Sequence, residues 1–369
     1  MNETLLRTFT KEEILHAFQD IDPRKAPGID GLPSSFFRQH WDTVGEDVIN
    51  LCINLLNGKA DMASVNKTIL VLIPKVQDPT SMKQLRPISL CTVLYKIVAK
   101  TIVNRRKQAI PLCISPNQAA FIQGRNISDN ILVAHEIIHN INSGATKSSQ
   151  GAALKLDMEK AFDRVEWSFL ANVIERMGFA SEWIDLIMRF ITTVSFSVKI
   201  NNSFSPPFQP QRGLRQGDPL SPFLFLFCTQ GLSAYLAAAQ QTKILLGLGA
   251  CKYGPKVNHL LFVDDCMIFI NTNQSEATLL KKALRTYANA SGQAVNFEKS
   301  TIFYNPCTPS ATRNAINNLL QVREVTNPGV YLGIPLLIGK NKTESLGFVR
   351  DKVHDRLSSW DKHLLSFSG

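Results

Sequence analysis

The sequence predicts an α+β fold, on three observations. Strand-like and helix-like runs interleave without a regular βαβ period. One apolar run, HLLFVDDCMIF at 259–269, is split by adjacent carboxylates in the manner of a β-hairpin. With 44% hydrophobic residues in 369, the chain has enough apolar material for one large multi-lobed unit or two domains.

Each element has its own warrant. Thr10 and Glu13 form a capping-box pattern, and Ile14, Leu15, Phe18 and Ile21 follow at helical spacing. DPRKAPGIDGLP (22–33) concentrates Pro, Gly and Asp into a long turn region. TILVLIPK (68–75) is a β-rich run, residues 93–110 read as a basic helix, and 129–141 as a helix with Ile131, Leu132 and Ile138 on its apolar side. SGATKSSQG (143–151) reads as a linker, ALKLD (153–157) as a strand, and Val165 to Met177 as a helix stopped by Gly178. Ser221-Pro222 has the pattern of an N-cap followed by N1, so a helix starts there with its positive end near Gln216-Gly217. In the hairpin, Leu260–Val263 and Cys266–Ile270 are the strands, and the tip is Val-Asp-Asp-Cys.

A formal charge of +10 favours an anionic partner. The densest basic knot, Arg105-Arg106-Lys107, reads by itself as a solvated helix face. Seven scattered cysteines, with no C-x-x-C pair, fit free thiols in a reducing compartment. MNETLLRTFTKEE has no apolar signal region, and PLSPFLFLFC is short and punctuated by prolines, so no membrane span is expected. The expectation is an intracellular protein, nucleus and cytoplasm not being distinguished.

The chemistry centres on carboxylates in awkward places. Asp157 ends an apolar strand, and Asp264-Asp265 interrupt a second apolar stretch. A carboxylate at a buried edge needs a cation or hydrogen bonds. The pair is read either as a solvated turn or as part of a metal site. If the strand and the hairpin are sheet neighbours, the carboxylates can hold two Mg²⁺ for phosphoryl transfer. Because strand side chains alternate, one of Asp264 and Asp265 bridges the ions and the other is secondary.

The motifs occur in a fixed order: KAPGIDG, LIPK, RPISL, AFIQGRNISDNIL, LKLDMEKAFDRVEW, GLRQGDPLSP, FVDD, SGQAVNFEKS and YLGIP. In that order they resemble the reverse transcriptase of non-LTR, LINE-type retrotransposons of plants, from about Lys25 to Gly369. The resemblance implies a right-hand polymerase of fingers and palm with a ferredoxin-like sheet and most of the thumb missing. It implies a helical extension over 1–60, fingers and palm over 61–335 and the start of a thumb over 336–369. The expected activity is RNA-directed DNA synthesis with two Mg²⁺, or Mn²⁺, and the partners are an RNA template, a DNA primer and dNTPs. Asp157, Asp264 and Asp265 match the metal-binding aspartates, and Phe162 matches the aromatic gate against a ribose 2′-OH. Lys75 and Arg86 match the triphosphate clamp, and Gln216 and Gly217 the loop against nucleotide and template. Lys299 matches the proton donor to pyrophosphate, and Tyr331, Leu332 and Gly333 the primer grip.

Val263 stands where the family usually has alanine, and a β-branched residue suits a strand. The family's endonuclease and its C-terminal Cys/His knuckle or RNase H are not in this sequence, which ends at WDKHLLSFSG. The expectation is a fragment of an element, with nicking supplied by a separate chain. Two rival readings stand beside it. One is a relic that binds nucleic acid without catalysis. The other is a zinc metalloprotease through His135, Glu136 and His139, an H-E-x-x-H pattern with Glu159 as the nearest third ligand.

Overall fold

The computed structural model describes residues 1–107, 109–143, 151–201, 203–249, 251, 254–338 and 342–360. Residues 144–150 of the expected linker and 361–369 of the chain end lie outside them. The elements that build the site are α1 (Lys11–Gln19), α2 (Trp41–Leu56), β1 (Lys67–Pro74), β2 (Leu85–Cys91), α3 (Val93–Arg106), α4 (Ile127–Ser143) and β3 (Gly151–Leu156). They continue with α5 (Trp167–Arg176), α6 (Ser181–Thr192), β4 (Ser195–Ile200), β5 (Ser203–Phe204), α7 (Ser221–Gln241), β6 (His259–Phe262) and β7 (Asp265–Asn271). Last come α8 (Gln274–Ser291), β8 (Thr301–Tyr304), α9 (Ser310–Leu320), β9 (Arg323–Glu324), β10 (Val330–Tyr331) and β11 (Ile334–Pro335).

Two mixed sheets result. The central one has the order β9-β8-β3-β7-β6, and a four-stranded one has the order β2-β1-β4-β5. Only β8–β9 and β1–β4 pair in parallel within them. The central strands are covered on both faces. Leu154, Leu156, Ile268, Ile270 and Ile302 point into one apolar cluster, while Ala153, Met267, Phe269 and Phe303 point into another. This two-sided burial is why these strands read as continuous apolar runs instead of alternating ones.

The capping box at α1 forms: Glu13 N–H donates to Thr10 Oγ1, and Thr10 N–H to the Glu13 carboxylate. Lys96 Nζ donates to Ala26 O, 2.8 Å away, fastening the 22–33 turn region to α3. Gly28 is required there, since a Cβ would stand 2.5 Å from Thr92 N.

Several expectations need correcting. In the basic knot only Lys107 is exposed; the two arginines are not a solvated face. Arg105 is 4% exposed at its side chain and bonds Glu13 and the carbonyls of Leu5, Arg7 and Thr8. Arg106 is fully buried, 5.0 Å from the Phe223 and Phe227 rings, and burial lowers its pKa to about 9. The basic helix stops at Arg106, and Leu132 on α4 is 62% exposed. Ser221 is already inside α7, whose cap is Leu220. The apolar run there continues well beyond PLSPFLFLFC. At 21 residues α7 is long and apolar enough to cross a membrane by length and composition, yet Leu224, Phe225, Phe227, Leu232 and Leu236 are buried in the core.

Candidate active site

Asp157 follows directly on β3. Strand β3 pairs antiparallel with β7, Leu156 facing Cys266, so one further step sets Asp157 beside Asp265. Its backbone is held from the other side. Asp157 N–H donates to Ser300 Oγ (3.1 Å), and Asn296 N–H donates to Asp157 O (2.8 Å). Glu159 N–H donates to Ala294 O (2.8 Å), so segment 294–300, which carries the exposed Lys299, lies along residues 157–159.

The hairpin turn lies one residue earlier than expected, which shifts the cross-strand partners by two. Phe262 pairs with Asp265, so the turn residues are Val263 and Asp264, and Asp265 begins β7. Val263 is therefore not in a strand: it has φ +56°, a left-handed conformation that is uncommon for a β-branched side chain. Because the partners shift by two, Cys266, Ile268 and Ile270 share one apolar face in either register.

The three aspartates interact. Burial and then the Asp157 charge raise the Asp264 pKa, against its own backbone N–H and Arg86. Asp265 is raised by burial and by Asp264, with Lys155 opposing. Both aspartates are open to solvent at their surfaces, yet enough protein surrounds them for desolvation to be the largest cause. Among the described residues, no three His, Cys, Asp or Glu side chains form a closed ligand set for one ion. That holds for these aspartates and for His135, Glu136 and His139 with Glu159.

The four-stranded sheet faces this carboxylate group. Arg86 on β2 is the cation that acts on Asp264, and Lys75, just past β1, acts on Asp163. Lys75 Nζ also donates to Lys83 O at 3.2 Å. Gln216 O accepts from Ser89 N–H at 2.7 Å, which docks the Gln216-Gly217 loop onto β2. Gly217 has φ +102°, and a Cβ there would come within 3.0 Å of Ser89 O. The half-buried Phe162 ring lies parallel to Phe225, with centroids 4.7 Å apart and planes at 12°.

Tyr331, Leu332 and Gly333 lie at the β10–β11 hairpin, whose turn residues Leu332 and Gly333 both have positive φ (+49° and +87°). Two such residues match the right-handed strand twist. Tyr331 is buried beneath the central sheet, and Lys155 Nζ donates to Val330 O, tying this hairpin to β3.

Some contributors escaped the sequence reading. Asp163 is half-buried between Lys160, Lys75 and Gln216, with its pKa raised by burial against those three. Arg215 and Asp218 flank the Gln-Gly pair and are buried together at 2.8 Å. Arg215 donates to Asn66 Oδ1 (2.6 Å) and Thr68 Oγ1 (3.0 Å), and Tyr95 OH donates to Asp218 Oδ2 (2.7 Å). A signal was present: opposite charges three residues apart around a Gly-rich turn.

Comparison with known proteins accords with this geometry. The family described as "Reverse transcriptase (RNA-dependent DNA polymerase)" matches residues 73–348. The chain is 30% identical over 299 residues to the "Transposon TX1 uncharacterized 149 kDa protein" of Xenopus laevis, covering 81% of this chain and 22% of that protein. It is 27% identical over 299 residues to a "Retrovirus-related Pol polyprotein from type-1 retrotransposable element R2" of Popillia japonica, covering 80% and 39%. A 56-residue stretch is 54% identical to the "Uncharacterized mitochondrial protein AtMg01250" of Arabidopsis thaliana, covering 15% and 46%. The chain thus spans only 22% and 39% of the first two relatives. With its paired aspartates at the open end of a mixed sheet, the chain belongs to the reverse transcriptase family and is related to the Pol proteins of non-LTR retrotransposons.

Proposed function

We propose that this chain is the polymerising core of a plant LINE-type reverse transcriptase, intracellular in its setting. It copies an RNA template by adding deoxynucleotides to a primer 3′ end. Family membership supports the reaction class. The observation that carries the reading is the placement of Asp157, one step past the Leu156–Cys266 pair, beside the Asp264-Asp265 turn. The short match to a plant protein supports the plant affiliation. In this reading the central sheet is the palm, the β1-β2-β4-β5 sheet the fingers, 1–60 a helical extension, 61–335 fingers and palm, and 336–369 the start of a thumb.

Asp157, Asp264 and Asp265 fit Mg²⁺ as ligands. Asp264 and Asp265 are raised first by burial and then by their carboxylate neighbours, against Arg86 and Lys155, so a bound cation would relieve them. Mg²⁺ uses one or two carboxylates and completes its shell with water and substrate phosphates, so a closed protein cage is not required. When bound, two such ions (or Mn²⁺) acidify the primer hydroxyl and neutralise the departing phosphates. Lys75 and Arg86 clamp the triphosphate, Phe162 excludes the 2′-OH, and Gln216-Gly217 pack on nucleotide and template. Tyr331, Leu332 and Gly333 hold the primer. Its 3′-oxygen bonds to the α-phosphorus as the bond to pyrophosphate breaks, and Lys299 protonates the leaving group.

One observation favours the second reading, a nucleic-acid binder without catalysis: among the described residues the aspartates do not close into a three-ligand set for one ion. Single-nucleotide incorporation by variants of the carboxylates separates the two. Asp157→Ala and Asp264→Ala abolish incorporation, while Asp265→Ala, the carboxylate offset by Lys155, leaves a trace. A chain that binds primer–template but never extends it supports the second reading.

A further inference from the structure

Val263 keeps its left-handed backbone, φ +56°, at the turn position immediately before Asp264. A β-branched residue stays in that region only where its surroundings over-determine it. The restraint is visible. Val263 N–H donates to Gln118 Oε1 at 3.1 Å, and the same oxygen accepts from Ala120 N–H at 3.0 Å. Gln118 is 1% exposed, and its Nε2 lies 3.5 Å from Thr229 Oγ1. The segment around it runs beside β6 as an extra parallel partner. Leu261 N–H donates to Asn117 O (2.8 Å), and Ala119 N–H donates to Leu261 O (3.2 Å). Asn130 Nδ2 also donates to Leu261 O at 2.8 Å. A buried carboxamide on a fixed backbone is thus aimed at the Phe262–Val263 amide, about whose N–Cα bond the positive φ of Val263 is set, one residue before Asp264.

We propose that Gln118 is a positioning residue for the metal-holding turn: its carboxamide holds Val263 in the left-handed conformation and so aims Asp264. The proposal rests on the reading of the aspartates as metal ligands. Without the carboxamide, Val263 relaxes to its ordinary φ, the following peptide rotates, and Asp264 swings away from Asp157. Glycine has no such preference, because it lacks the Cβ that makes positive φ unfavourable. Glycine at 263 should therefore remove the need for Gln118.

The test is Mn²⁺ titration of the full chain, followed by water-proton relaxation, for Gln118→Ala, Val263→Gly, the double variant and Asp157→Ala. Circular dichroism confirms that each is folded, and Gln118→Met serves if Gln118→Ala is not. The expected result is a Mn²⁺ dissociation constant raised about tenfold by Gln118→Ala. The double variant returns to within about twofold of Val263→Gly alone. If Asp157→Ala weakens Mn²⁺ binding but Gln118→Ala does not, the proposal is overturned while the metal reading stands. A loss in Gln118→Ala that glycine at 263 fails to restore overturns it too, leaving Gln118 a packing residue of its own loop. Mn²⁺ binding indifferent to Asp157→Ala overturns the metal reading and the proposal with it.

Discussion

Phe162 stacks one face on the buried Phe225 ring and stays half-exposed, five residues beyond Asp157. A purely packed phenylalanine would be enclosed; this one is backed on one side. In the proposed gate role, the ring would leave a ribose 2′-OH without room or partner, at a cost of about 1–3 kcal/mol and a roughly tenfold to hundredfold preference for deoxynucleotides. Phe162→Val is expected to raise the rNTP-to-dNTP ratio of kcat/KM by that order. An unchanged ratio with both activities falling would make Phe162 a packing residue. His259 is a different case, buried at the start of β6 with its pKa lowered to about 4 by desolvation. Ser233 Oγ stands 2.7 Å from Nε2, and Asn258 Oδ1 2.6 Å from Nδ1. Between pH 6.5 and 4 the unfolded chain binds a proton that the folded chain refuses, so stability falls as pH drops through that window. About 2 kcal/mol is lost at pH 5 relative to pH 7.5, and urea unfolding of His259→Gln should lack this loss. Equal pH dependence in the two proteins would contradict the burial of a neutral ring. The aspartates were legible because charge inside an apolar run is costly; Gln118 was not, since nothing local to it announces a partner 145 residues away.

At the scale of elements, hydrophobic pattern located part of the strands and helices, missed the ends of several, and left α2, α6, α8, α9, β4 and β8 unread. The hairpin turn lies one residue earlier than expected, at Val263-Asp264. Since the partners then shift by two, the face of Cys266, Ile268 and Ile270 is the same in both registers and could not reveal it. The start of α7 moved by one because Asp218, which accepts from Leu220 N–H at 2.8 Å, shapes the entry. That aspartate belongs to the buried Arg215–Asp218–Tyr95 network beneath Gln216-Gly217. Removing one member strands a buried charge, so Asp218→Ala is expected to destabilise the chain by about 3–5 kcal/mol in urea unfolding. A loss below about 1 kcal/mol would show that the network does not hold the loop.

At the scale of the molecule, the α+β class was readable because strand and helix patterns interleave. The arrangement of the two sheets was not, because pairings such as β1 with β4 join residues 67–70 to 195–198 across the intervening chain. One apolar cluster also gathers Leu5, Ile14 and Phe18 with residues as distant as Val322, which no local pattern reveals. The +10 charge belongs to this scale as well. If it serves phosphate contacts, primer–template affinity falls log-linearly with salt, and fluorescence anisotropy at a series of salt concentrations reads the slope. Affinity that ignores salt would contradict that use of the charge. On the proposed function, Asp157 and the Asp264-Asp265 turn form one catalytic centre, and primer extension on an RNA template in Mg²⁺ is the decisive measurement. The wild-type chain is expected to give extended product and a folded Asp157→Ala variant none; extension by that variant at the wild-type rate would rule the shared centre out.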